Sequence, residues 1–392
     1  MMLFTSLWIM TFLMMFSISL VNPVIPYLVN YFVVEEAAAV ALIGFLNSSS
    51  NLAKTLANVP GGILADKLGR RKLIIASFLI FPFSFLFYYL SNNYYYLIIG
   101  ELIGGVAMGF SVPVFSAIIA DIVPQASMST AYGIFNLSWI LSQIPSPIIG
   151  GFLSDAIDLK FPFLIALIIS LACFIISLKA SKRADESARP RPSEEELGDE
   201  ADPKTGLSAY KRVLMLFCGI EALNGLGNGI LATLFVVYPM YVLGISVLEM
   251  GMTFSIGWGV ATALSQIPGG KLADKFGEKP LILACLIASA PLLILLSLTR
   301  SLIQFILVLG LTCIVGNLST PAYSSWLAAS MPSTKRGTGF GWTSAAFGAG
   351  LIIGPVIGSL AWNTFYPYTL IAFTIAAIFL LSSIPLIKAI SP

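Results

Sequence analysis

The chain has 392 residues, 57% of them hydrophobic and only 10% charged, with a mean hydropathy of +0.92. That composition excludes a soluble domain of this size and demands an apolar solvent. The formal net charge is +2 and histidine is absent, so nothing points to a nucleic-acid partner, and any proton traffic must run through carboxylates.

In chain order, twelve apolar runs are each long enough to cross a hydrocarbon layer of ~30 Å as a helix. They cover 4–33, 38–64, 73–91, 95–120, 128–152 and 161–179, then 212–238, 246–272, 281–299, 302–328, 337–362 and 366–388. The first is too long for a cleaved signal and lacks a basic start. Between the sixth and seventh lies a hydrophilic stretch, Ser181 to Ser208, with Glu194, Glu195 and Glu196 in a row; it reads as a disordered linker. The expected division is an N-terminal bundle 1–180, a linker 181–208 and a C-terminal bundle 209–392.

An internal repeat sets the architecture. Residues 60–69, Pro-Gly-Gly-Ile-Leu-Ala-Asp-Lys-Leu-Gly, return at 268–277 as Pro-Gly-Gly-Lys-Leu-Ala-Asp-Lys-Phe-Gly, 208 residues on. The same offset maps Pro124 onto Pro332, Gly133 onto Gly341, Pro147 onto Pro355 and Gly150 onto Gly358. Two like-oriented copies of one unit follow. The predicted fold is an all-α membrane protein of twelve transmembrane helices in two pseudo-symmetric six-helix bundles.

Of 21 Lys and Arg residues, 18 fall on the side that carries the termini and the linker; Lys160 and Arg300 fall in opposite loops and Lys54 within a span. The termini are therefore expected in the cytoplasm, and the protein in the cell membrane as a multi-pass monomer. Cys173, Cys218, Cys285 and Cys313 lie within apolar spans without CxxC spacing; they read as inert thiols, with no metal and no cofactor implied.

The repeated segment Gly62-x-x-x-Asp66-Lys67-x-Gly69-Arg70-Arg71 ends the second span and turns into the third. Gly62 is expected to admit a close neighbouring helix, Gly69 to turn with positive φ, and Asp66 to accept hydrogen bonds at a helix N-terminus. Arg70 needs an acid, and Asp121 at the end of the fourth span is the candidate. In the second copy Gly270, Asp274 and Gly277 persist, but Glu278 replaces Arg70 and Ala329 replaces Asp121. Both members of the pair are lost together.

With this motif after the second span of each half, the chain resembles the major facilitator superfamily over nearly its whole length. The resemblance implies two six-helix bundles, a central cavity, alternating access and a conformational gate at the motif residues. Pro23-Val24-Ile25-Pro26 in span 1 resembles the Pro-Val-x-Pro of twelve-span drug:proton antiporters. Gly350-x-x-x-Gly354-Pro355-x-x-Gly358 in span 11 has the full antiporter form, whereas span 5 has Ser142 and Ser146 at the glycine positions. Glu101 stands where the family often has Arg.

Spans 3, 6, 9 and 12 have no ionisable residue, Asn or Gln in their interiors and are expected to face lipid. Elsewhere polar residues form stripes. Asn47, Asn51, Lys54 and Asn58 share one helical face, as do Glu221, Asn224 and Asn228. With Trp139, Gln143, Trp258, Gln266, Asn317, Tyr323 and Trp326 they suggest an aromatic and amide-lined cavity, although each aromatic also has a plain packing reading. Lys54 stands twelve residues from Asp66, ~18 Å along a helix. Charges so deep are costly unless they face protein. Glu221 and Glu101 are the candidates for binding and releasing protons between access states. Lys54 reads as a substrate-anion site or as a structural partner, for example of Glu221.

The leading reading is a secondary transporter that exports amphipathic or cationic small molecules in exchange for protons. The alternative is a proton-linked uptake symporter for a small polar solute or organic anion. A scaffold or sensor is poorly supported, and no enzyme constellation is present: there is no histidine, Walker loop or nucleophile elbow. If Arg70 and Asp121 clamp the cytoplasmic side, Asp121→Asn slows turnover without weakening equilibrium substrate binding, and reversing both charges restores part of the rate. Unchanged turnover in Asp121→Asn removes the pair from the gate.

Overall fold

A computed structural model describes residues 2–123, 128–187, 205–331 and 336–390. The described residues are helical and contain no strand. Ten helical stretches are long and apolar enough to cross a membrane. The stripe Asn47, Asn51, Lys54 and Asn58 makes α3 (Glu36–Leu68) less apolar than these ten, though 33 residues rise ~50 Å. The fifth span is cut into α6 (Met128–Ser142) and α7 (Pro145–Ala156), each short by itself. The fold is thus consistent with twelve spans.

The chain divides into two compact units. Unit 1 comprises Met1–Arg189 with Pro239–Val260, and unit 2 comprises Pro190–Tyr238 with Ala261–Pro392. In unit 1, α1 (Met2–Val21), α2 (Ile25–Phe32) and α3 are followed by α4 (Arg70–Tyr89), α5 (Tyr94–Ile122), α6, α7 and α8 (Phe161–Ser187). Helix α5 packs on α3 and α4, while α8 packs on α4 and α1. The span 3 helix α4 has two faces: Phe78, Phe81 and Phe85 are buried, while Leu79 and Phe83 are about half exposed.

Several helices end or break where the sequence removes a donor. The predicted first span is two helices, broken at residues 22–24 before Pro26 at the start of α2. In the fifth span, Pro145 and Pro147 lack N–H groups and restart the helix at α7, which ends at Ala156 rather than at 152. Asn93 caps α5 by accepting from the Tyr95 N–H at 3.0 Å. Helix α9 (Thr205–Tyr241) runs from unit 2 into unit 1. Next come α10 (Val247–Met252), a π-helical segment Thr253–Val260, and α11 (Ala261–Phe276), so the eighth span changes helical type midway.

Unit 2 continues with α12 (Glu278–Leu296), α13 (Leu302–Ala329), α14 (Arg336–Phe365), α15 (Thr369–Leu381) and α16 (Ile384–Ala389). Its α12 packs on α13 and α15. The glycine motif of span 11 serves packing: Gly350 and Gly354 of α14 meet the backbone of Gly225 and Gly229 of α9, and Thr233 donates to the Pro355 carbonyl at 3.2 Å. At the matching positions of unit 1, Ser142 and Ser146 are fully buried and donate within their own segment, to the Trp139 and Ser142 carbonyls.

A Cβ added to Gly150 of α7 would fall on the Leu20 carbonyl of α1, whereas one added to Gly133 of α6 meets no atom within 4 Å. Gly150→Ala is therefore expected to cost about 1–3 kcal/mol through forced separation of α1 and α7, and Gly133→Ala to stay within about 0.5 kcal/mol of the parent. Thermal unfolding in detergent checks the pair; equal melting points would show that this crossing is not tight.

Candidate functional site

The loop motif has the predicted backbone. Gly69 has φ 89° and Gly277 has φ 86°, each at a helix-to-helix turn where any side chain would be strained. The expectation for Gly62 needs correction: a Cβ there, or at Gly270, meets nothing within 4 Å. The close approach falls one residue earlier. A Cβ on Gly61 would lie 3.1 Å from the Gly109 carbonyl oxygen, and one on Gly269 2.6 Å from that of Leu318. Both copies read Pro-Gly-Gly, and a sequence does not say which glycine of the pair faces the neighbour. The side chains of Asp66, Arg70 and Asp121 lie outside the described residues, as does the linker 188–204.

In the second copy the changed residues have their own partners. Glu278 accepts from the Ser325 hydroxyl of α13 at 3.0 Å, and Lys279 donates to the Ile390 carbonyl beyond α16 at 2.7 Å. Asp274 lies in the last turn of α11. Position 329, which the repeat sets opposite Asp121, is alanine, and the partner of Glu278 is Ser325, one turn earlier on α13.

Within unit 1, Glu101 sits on α5 and accepts from the Tyr88 hydroxyl of α4 at 2.6 Å. Ser50 of α3 is its other hydrogen-bonding neighbour. Three helices therefore meet at one carboxylate. Tyr88 is 2% exposed and stacks on Phe163 at 4.9 Å between centroids, which fixes the donor. Helix α3 continues one turn to Lys54, whose backbone packs beside Gly105 and Gly109 of α5. Lys54 is half-buried, and among the described residues of its unit no carboxylate lies at ion-pair distance.

The amide candidates share a feature that residue type alone does not reveal. Asn51 donates to the Asn47 carbonyl at 2.9 Å, Gln143 to Trp139 at 3.3 Å, Asn228 to Asn224 at 2.8 Å and Asn317 to Cys313 at 2.8 Å. Each amide N–H thus returns to a carbonyl four residues back, a cheap solution where water is scarce. Asn317 also reaches the Thr262 hydroxyl of α11 at 3.4 Å. Trp139 and Trp258 are half-buried in unit 1, Trp258 within the π-helical segment; Asn224 and Gln266 are half-buried in unit 2.

In unit 2, Glu221 of α9 faces Tyr323 of α13, with Cys218 one turn away on the same helix. Phe217 meets Tyr323 edge-on at 5.8 Å and Trp326 at 4.7 Å. Trp326, expected in the cavity, is 7% exposed and belongs to the apolar core with Phe217 and Ile220. The packing reading is the one its surroundings fit. Asn224, Asn228 and Glu221 remain on one face of α9, while Asn317 stands nearly two turns from Tyr323 on α13. The cysteines are free thiols, three buried and Cys218 half-buried, and no cluster able to hold a metal occurs among the described residues.

The Major Facilitator Superfamily profile matches residues 7–257 and 217–391. Multidrug resistance protein 2 of Bacillus subtilis is 26% identical over 370 residues, covering 92% of this chain and 90% of that protein. Multidrug resistance protein MdtG of Escherichia coli is 27% identical over 356 residues, 90% and 86% of the two chains. Among solved structures, a D-xylose-proton symporter superposes with a TM-score of 0.78 at 16% identity, over 99% of this chain and 97% of its own. A bacterial homologue of the human lysosomal transporter Spinster gives 0.77 at 16%, over 98% and 95%. With helices of this number and these matches along its whole length, the chain belongs to the Major Facilitator Superfamily and is a multi-pass membrane transporter rather than an enzyme.

Proposed function

We propose that the protein exports amphipathic or cationic small molecules across the cell membrane in exchange for protons, as a monomer with both termini in the cytoplasm. The observation that carries this reading is Glu221: a carboxylate in the interior of a long apolar helix, faced by the Tyr323 hydroxyl and flanked by Phe217. Among the described residues of unit 2 no Lys or Arg lies at ion-pair distance from it. A carboxylate with no cation beside it among the described residues of its unit can exchange a proton for a cationic substrate. The multidrug resistance names of the relatives support the same substrate class.

Glu101 plays a secondary part in this scheme. Tyr88 and Ser50 hold it in place, so its proton exchange is tied to movement of α3 and α4 against α5. The motif residues Gly62, Asp66, Gly69, Arg70, Asp121, Gly270, Asp274 and Gly277 act as the conformational gate. A second reading, uptake of a small organic anion together with a proton, rests on Lys54, a half-buried ammonium with no carboxylate at ion-pair distance among the described residues of its own unit.

The test is transport by the purified protein in liposomes under an imposed pH gradient, with tetraphenylphosphonium, a sugar and an organic anion in parallel. Glu221→Gln, fixed in the neutral form, is expected to abolish gradient-driven accumulation of the cation while leaving its exchange measurable and insensitive to pH. Normal accumulation by Glu221→Gln refutes the proton role. Lys54→Met abolishing anion uptake, with no cation movement in the parent, establishes the second reading. Tyr88→Phe removes one buried hydrogen bond and is expected to lower stability by about 0.5–1.5 kcal/mol, with little further loss in a Glu101→Gln background; thermal unfolding of the four proteins of the cycle checks it.

A further inference from the structure

Lys160 stands in the turn between α7 and α8, in unit 1. Its N–H donates to Asp158 Oδ1 at 2.8 Å, which sets the backbone as α8 begins. The ammonium then crosses to the turn between α4 and α5, where it donates to the Ser91 carbonyl, and it lies over the Phe32 ring of α2 at 5.5 Å from the centroid. Three elements therefore meet at one lysine. Ser91 is buried just past the end of α4, where a carbonyl has no helical N–H ahead of it, so its donor has to come from another element. A cation also suits the C-terminus of a helix.

A second contact lies in register with the first. Lys160 and Phe163 are three residues apart on α8, as are Ser91 and Tyr88 at the end of α4, and Phe163 stacks on Tyr88 with the rings 10° from parallel. Backbone bonds join the members of each pair: the Phe163 N–H donates to the Lys160 carbonyl at 3.1 Å and the Ser91 N–H to the Tyr88 carbonyl at 3.2 Å. The Tyr88 ring also lies against α5. A Cβ on Gly100 would come 2.8 Å from Tyr88 Cε2, and Ser84, one turn earlier on α4, donates to the Gly100 carbonyl at 2.8 Å. The next residue of α5 is Glu101. Held from two helices, the ring has its hydroxyl directed at that carboxylate, to which it donates at 2.6 Å.

We propose that Lys160 is a positioning residue for Glu101, acting through Phe163 and Tyr88. The bond from Lys160 to Ser91 fixes the height of α8 against the α4–α5 turn, and that height puts Phe163 over Tyr88. The stacked ring then presents its hydroxyl to the carboxylate. A lysine at the surface end of two helices thus governs the setting of an acid in the interior of a third. What this contributes to transport rests on the proton role proposed above for Glu101, whereas the placement of the carboxylate does not.

The experiment reads the carboxyl group itself and needs no transported substrate. In full-length protein labelled with carbon-13 at the glutamate side-chain carboxyl, the NMR signal of Glu101 is the one lost in Glu101→Gln, and Tyr88→Phe is expected to displace it. Lys160→Met keeps the stem and removes the donor. It is expected to displace the signal in the same direction, and to add nothing in a Tyr88→Phe background, while Lys160→Arg restores a cationic donor and returns the signal to its parent position. Phe163→Leu breaks the chain one link later and is expected to displace the signal as well, so the proposal stays open to refutation if Lys160→Met folds poorly. Gly150→Ala strains a different crossing of unit 1 and is expected to leave the signal in place. An unmoved signal in either Lys160→Met or Phe163→Leu overturns the proposal, as does a displacement that persists without the Tyr88 hydroxyl or that Gly150→Ala reproduces. Tetraphenylphosphonium accumulation by Glu101→Gln in liposomes is read separately: a normal level strikes the proton role of Glu101, and the signal still decides its placement.

Discussion

Backbone hydrogen bonding in a solvent that offers no partners is the constraint on which the rest of this structure depends. A helix in hydrocarbon satisfies its own interior, but every break exposes donors and acceptors that only protein can complete. This chain has breaks at residues 22–24 and 143–144 and a π-helical stretch at Thr253–Val260. Each lies where another helix is close enough to supply the missing groups or to exclude lipid. The glycines and serines concentrated around those positions follow from that need: they let backbones touch, or they carry a hydroxyl that folds onto a carbonyl.

Much of the architecture was legible in the sequence because it depends on composition and period, both of which survive without coordinates. The 208-residue offset and the positive-φ turns at Gly69 and Gly277 rest on chemistry that leaves little choice of residue. Residues 181–187 and 205–208, expected in the linker, are helical. The helix breaks were less legible. Proline occurs inside α3, α9, α11, α12, α13 and α14 as well as at the true restart at Pro145, and the sequence does not separate a tolerated proline from a breaking one.

Side-chain partnerships were legible only where residue type narrowed them. Glu101 announced itself as a buried acid, but its donor Tyr88 stands on another helix, in a run of aromatics that reads as apolar. Trp326 had the opposite difficulty: tryptophan serves cores and binding sites alike, and its contacts with Phe217 place it in the core. The two motif copies add a further lesson. Where the second copy has Glu278 and Ala329 in place of Arg70 and Asp121, hydrogen bonds from Ser325 and Lys279 tie the same turn to α13 and to Ile390. Homologous positions thus share geometry while their chemistry drifts.

The assignment of residues 239–260 to unit 1 has a consequence for how the protein is made. Synthesis proceeds from the N-terminus, and when residue 189 leaves the ribosome the first unit still lacks the segment that covers Gly151 and accepts the Ile148 N–H. That helix face must wait, with lipid or insertion machinery against it, while about seventy more residues are translated at ~5–20 per second. The contacts of the first unit are complete only once residues 239–260 have been made.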